Sequence, residues 1–180
     1  MSLQLNTPPA QEPVTLAQAK AWLRVESGSD EDDLIAGLIA AARARAEWHT
    51  GRAFVTQGWT LWLDRAAPVI GIPLPPLQAV TAVTLYAPDG GATVLDSGDY
   101  AADLAGSRLL LNAAPPDLRA TNAAAIAFTA GYGDAAAVPP AIAQAILQIV
   151  GALYEHRGGE ATPNPDSALA LLAPYRGVRF

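Results

Sequence analysis

The sequence predicts an α+β fold. It reads as a helical bundle made of two N-terminal helices and one long C-terminal helix, carrying an inserted antiparallel β-domain and a flexible C-terminal tail. Three observations predict this. Apolar residues recur at helical spacing over 14–51, alternate with period two over 54–128, and return to helical spacing over 139–157. Strands bracketed by helical ends are the α+β layout. The expected organisation is a disordered arm over 1–13, a single α+β domain over 14–157 and a C-terminal linker, short helix and docking tail over 158–180.

The stretch that organises this arrangement runs from Phe128 to Arg157. Gly131 and Gly133 flank Tyr132, a turn spacing, and Pro139 and Pro140 suit the start and first position of a helix, where a missing N–H costs nothing. Ile142, Ile146, Ile149 and Leu153 form one stripe that Leu147, Val150 and Tyr154 widen, so this helix should be buried on most sides with the rest of the chain packed around it. His156 and Arg157 suit its C-terminal dipole, and Gly158 and Gly159 should end it.

The first helix spans Val14 to Val25. Thr15 caps it, with Gln18 three residues on as in a capping box, while Lys20 and Arg24 project away from the apolar side. The second runs from about Glu31 to Thr50, with Ser29 as cap, Asp30 to Asp33 at its positive end and Gly51 as its stop. A calcium loop is excluded for the acidic run: it lacks the alternating ligands, central glycine and closing glutamate of an EF-hand. The alanines of the second helix make a thin face suited to close helix approach. Strands are expected at Val55–Asp64, Val80–Tyr86, Ala92–Leu95, Tyr100–Leu104, Arg108–Leu111 and Ala123–Phe128. Pro73, Pro75 and Pro76 make 69–77 an edge or extended crossing. Pro88-Asp89-Gly90-Gly91 signals a hairpin turn. Asp166 should cap a short helix, Ser167–Leu172, stopped by Pro174.

The bulk properties narrow the function. The chain has 180 residues, 17 Asp plus Glu against 11 Lys plus Arg, a net charge of −6 and no cysteine. The acidic balance argues against a general nucleic-acid binder. Disulfides, thiol nucleophiles and zinc–thiolate sites are excluded, and no apolar run reaches the roughly 20 residues of a membrane span. The expectation is a soluble intracellular protein.

Catalytic signals are absent. His49 lies near Arg45 and Glu47, and His156 between Glu155 and Arg157, without the three ligands of a catalytic metal or HExxH spacing. The serines lack GxSxG context, Gly131-Tyr132-Gly133 is no phosphate loop, and Asp96 with Asp99 reads as turn chemistry. Trp22, Trp48 and Trp59 read as core; only Trp62 falls on a polar strand face. No catalytic, cofactor or metal residue is assigned.

The pieces TLAQAKAWLRV, SDEDDLIAGLIAAARARAE, TGRAF, QGW, LPPLQAVTAVTLYAPDG, FTAGYG, VPPAIAQAILQIVGALYEHR and LLAPYR, in that order, resemble the head–tail connector (adaptor, head-completion) proteins of long-tailed phages, prophages and gene transfer agents. The resemblance spans about Val14 to Arg176; Tyr154, Glu155 and Arg157 carry its most telling motif. It implies a non-enzymatic structural protein of the virion, assembled in the bacterial cytoplasm. It implies a ring, usually twelve-fold, docked beneath the portal protein and meeting a tail-side connector or stopper. DNA would pass through without specific binding, and no membrane is involved. The helices would form the ring wall, the strand region an added β-domain on its outside. The C-terminal segment would reach the portal through Leu171, Leu172, Pro174, Tyr175 and Arg176. Alternatives are a tail-completion or other virion interaction module, motivated by Trp62, and a small enzyme using His49 or His156.

Overall fold

A computed structural model describes residues 1–26, 30–115, 117–156 and 164–177. It is an α+β fold with several helices and a sheet domain. The backbone divides into two compact units: one of 1–10 with 56–132, the other of 11–55 with 133–180.

The strand unit contains β1 (Ser2–Thr7), β2 (Gln57–Leu63), β3 (Val69–Gly71), β4 (Leu77–Tyr86), β5 (Ala92–Val94), β6 (Tyr100–Asp103), β7 (Arg108–Leu111) and β8 (Ala124–Ala130). One antiparallel sheet has the order β1-β2-β8-β4-β5, and a second the order β3-β7-β6. The centre of the larger sheet is β8, whose Ala124, Ile126, Phe128 and Ala130 alternate onto one buried face. Ile126 stands between Leu61 of β2 and Val83 of β4, giving an apolar row across three strands. As the prolines predicted, 69–77 yields only a short strand at the edge of the smaller sheet. The Pro88–Gly91 turn forms, with Gly90 at positive φ.

The helical unit contains α1 (Leu16–Leu23), α2 (Asp32–Thr50), α3 (Pro140–Glu155) and α4 (Asp166–Leu172). The Thr15–Gln18 capping box is present, Gly51 closes α2 in the left-handed conformation, and α3 starts at Pro140 behind Pro139. Ile142, Ala145, Ile146, Ile149 and Val150 are buried, and no residue from Ala141 to Tyr154 is exposed. Helices α1, α2 and α4 all pack on α3. Gly131 and Gly133 both adopt positive φ, which explains why the turn before α3 is built from glycine.

Several expectations are corrected. The arm at 1–13 is not disordered over its first residues: Ser2–Thr7 is an edge strand paired with β2, with Asn6 Nδ2 donating to Thr60 Oγ1 at 2.7 Å. The alternation of Leu3 and Leu5 was the overlooked signal. The chain does not condense wholly around α3, because β8 centres a unit of its own. Trp22 and Trp48 are 45% and 85% exposed rather than core. Lys20 does not project outward but is buried, paired with Asp32. Asp166 starts α4 without capping it, Pro165 being the cap residue. The segment 164–177 is packed rather than a flexible tail: Ala168 and Leu172 are fully buried, and α4 lies on α3. Ser29, Arg157, Gly158 and Gly159, for which roles are expected above, lie outside the described residues.

Candidate functional site

The helical unit is fastened by charged and polar contacts that leave its outer surfaces free. Arg43 of α2 donates through Nε to Glu12 at 2.7 Å and through a terminal nitrogen to Glu47, one turn on. Glu47 also accepts the Phe54 backbone N–H at 2.8 Å, so one carboxylate fixes both the helix and the chain leaving it. Burial disfavours the Arg43 charge, but the hydrogen bonds and charges of Glu12 and Glu47 outweigh it and hold the guanidinium above its usual range. The acidic start of α2 does more than suit the helix dipole. Asp32 accepts from Lys20 of α1, and Glu31 accepts the Tyr154 hydroxyl of α3.

The proposed docking residues sit beside this framework. Leu172 is fully buried, which makes it an anchor rather than a contact. Leu171 and Tyr175 are half-buried, and Pro174 and Arg176 are exposed. Arg52 Nε donates to the Tyr175 carbonyl, and the Gly177 N–H donates to the Thr50 carbonyl at 3.3 Å. The end of α2 therefore holds the short 3₁₀ turn, Ala173–Tyr175, that presents Pro174 and Arg176. This restraint depends on contacts between positions more than 120 residues apart in sequence, which no local pattern reveals.

On the strand unit, Trp62 stacks on Tyr86 with ring centroids 6.0 Å apart, and Arg119 lies 4.1 Å over the Tyr86 ring. Trp62 Nε1 donates to Gln4 at 3.2 Å. An open hollow of about 310 Å³ is lined by Ser2, Gln4, Trp62, Arg119 and Asn122. It brings together an aromatic ring, amides and a cation, without an oriented nucleophile and base. Asp96 and Asp99 bond each other's backbone as turn residues. Asp103 accepts the Gly106 N–H and then the Arg108 side chain, which hold its carboxyl below the usual range.

His49 and His156 stand at the ends of α2 and α3, and His156 Nδ1 lies 2.9 Å from the Ala152 carbonyl. Among the described residues no group of three potential metal ligands assembles, and no helix is long and apolar enough to cross a membrane. What the geometry offers is surface: a restrained C-terminal turn, an open aromatic hollow and exposed helix faces. These are features that contacts with other molecules can use.

The comparisons with known proteins agree. Residues 13–87 match the family model described as phage gp6-like head-tail connector protein. A chain from the neck of an empty gene transfer agent (GTA) particle, computed with C6 symmetry, is 29% identical, with a TM-score of 0.82 over 100% of this chain and 97% of that one. A chain from the virion of a native GTA particle is 28% identical, with the same TM-score and coverage. One from the neck of a native GTA particle, computed with C12 symmetry, is 27% identical, with a TM-score of 0.77 and again 100% and 97% coverage. No curated protein sequence matches. The chain is thus similar to the head–tail connector (neck) proteins of phages and gene transfer agents, over residues 13–87 by the family model and over its whole length by these particle chains. Its role is structural, in the head–tail connector region of the particle.

Proposed function

We propose that the chain is the adaptor that docks beneath the portal protein and continues the DNA channel toward a tail-side connector or stopper. In the particle it forms a twelve-fold ring, and it assembles in the bacterial cytoplasm. The observation that carries this is the match of the whole chain, end to end, to GTA neck chains in particles treated with six- and twelve-fold symmetry. The acidic net charge of −6 suits a channel through which DNA slides, since cationic contacts to phosphate drive affinity. The domain plan supports the same reading: helices 14–51 and 139–157 supply a bundle, and 54–128 the β insertion.

We place portal docking on the C-terminal segment, with Leu172 anchoring it and Leu171, Pro174, Tyr175 and Arg176 presented outward. Truncation after Gly158 is a poor test, because it would strip α4 from α3 and uncover apolar surface. The double substitution Pro174→Asp, Arg176→Glu changes only exposed side chains. It should leave the circular dichroism spectrum unchanged and weaken retention on immobilised portal at least about tenfold, the loss of one hot spot. Wild-type retention would overturn the docking assignment. Native mass spectrometry of the adaptor bound to its portal should show the twelve-fold stoichiometry.

A further inference from the structure

We infer that the outer face of α2 is the surface by which one copy of this chain grips the next, with Trp48 as its anchor. The receiving surface is an apolar hollow on the helical unit of the neighbouring copy. This inference rests on the ring reading above and names the contact that would close it.

Leu34, Gly37, Ala41, Ala44 and Trp48 follow one another at spacings of three, four, three and four. At about 100° per residue they fall within an arc of about 80°. All five are exposed, and none is charged. The buried residues of α2, among them Ile35, Ile39, Ala42 and Ala46, centre about 150° away round the same helix. The chain's own core therefore makes no use of this stripe. Its spacing is that of a helix-packing seam, and its small residues permit close approach. It ends in an indole that is 85% exposed. Tryptophan is among the side chains that dominate interface energetics.

A ring closes by rotation only if two different patches meet. The second patch is a hollow of about 270 Å³ lined chiefly by Val14, Leu16, Ala36, Ile39 and Ala135, with Gln11 exposed at its rim. Ala36 lies about 120° round α2 from the centre of the stripe. The two patches thus face different directions, as a head-to-tail contact requires and a two-fold contact does not. The hollow has room for one aromatic side chain, and the Gln11 amide oxygen can accept an indole N–H, the polar partner that a buried tryptophan needs.

The chain has no cysteine, so Ala44→Cys and Ala136→Cys, the latter next in sequence to Ala135 of the hollow, add its only thiols, both at exposed positions, and leave Gln11 in place. Particles assembled with the double variant are treated with a short bis-maleimide. The expected product is a ladder of covalent multimers of this chain, rising toward the closed ring, whereas either single variant gives no ladder. Adding Trp48→Ala should reduce the ladder at least about tenfold and leave the circular dichroism unchanged. Only monomer, from particles whose necks contain the chain, would overturn the interface and leave the connector reading standing. Cross-links to a different neck protein would do the same. Particles whose necks lack the chain would overturn the connector reading and this inference with it.

Discussion

Arg43 meets Glu12 and Glu47 in a partly buried cluster, its side chain 14% exposed and theirs 28% and 12%. Removing the cation would leave two carboxylates short of a partner, one of them also holding the Phe54 N–H. Arg43→Met should therefore lower unfolding free energy by about 2 kcal/mol, less than the full cost of breaking a buried pair because water reaches Glu12. A urea titration checks it. Glu47→Gln should cost less, since its amide oxygen can still accept from Phe54. The i, i+4 relation of Arg43 and Glu47 is visible in the sequence; Glu12, 31 positions earlier, is not. Trp48 carries the opposite lesson. It stands two residues after buried Ala46, which turns it about 200° away from the core face. The spacing from Ala46 contains that answer, against the expectation of a core Trp48.

At the scale of elements, α3 is where pattern and structure agree best. Its apolar residues outnumber what one face needs, and the helix is indeed covered by α1, α2 and α4. Ile146 is fully buried at its centre. Ile146→Ala should cost about 3 kcal/mol through lost transfer energy and a residual cavity; Leu153→Ala, only half-buried, should cost less. Equal losses in thermal unfolding would show that α3 is not packed as described. Trp22 is half-exposed because α3 offers it a shelf at Gly151: a Cβ there would come within 3.1 Å of the Trp22 indole nitrogen. Element β1 is hard to detect because the alternation of Leu3 and Leu5 is brief and is followed by Pro8-Pro9; its pairing to β2 joins segments separated in sequence by α1 and α2.

The molecule as a whole carries −6. In the proposed role DNA passes through the ring without being held, and the chain's affinity for DNA should be correspondingly poor. No retardation of a duplex is expected at about 0.1 M salt in a gel assay, whereas clear micromolar binding would contradict a channel in which DNA slides. The candidate surfaces were unevenly legible. The C-terminal turn was marked by Leu171 to Arg176, but only the fold shows that Leu172 is buried and that Arg52 restrains Tyr175. The alanines of α2 were legible as a close-packing surface; that Ala42 and Ala46 are buried while Ala41 and Ala44 stay uncovered was not.

The sequence by itself determined the α+β class, the capping box of α1, the Gly51 stop of α2, the proline start of α3 and the glycine turn before it. These depend on periodicity and on backbone chemistry within a few residues. The tertiary structure alone decided that Ser2–Thr7 joins the sheet, that Lys20 is buried against Asp32, that α4 packs on α3, and that the α2 stripe faces solvent. Each of those depends on which distant segment arrives to pair, neutralise or cover. Burial is a property of neighbours in space, and the order of residues along the chain specifies those neighbours only through the completed fold.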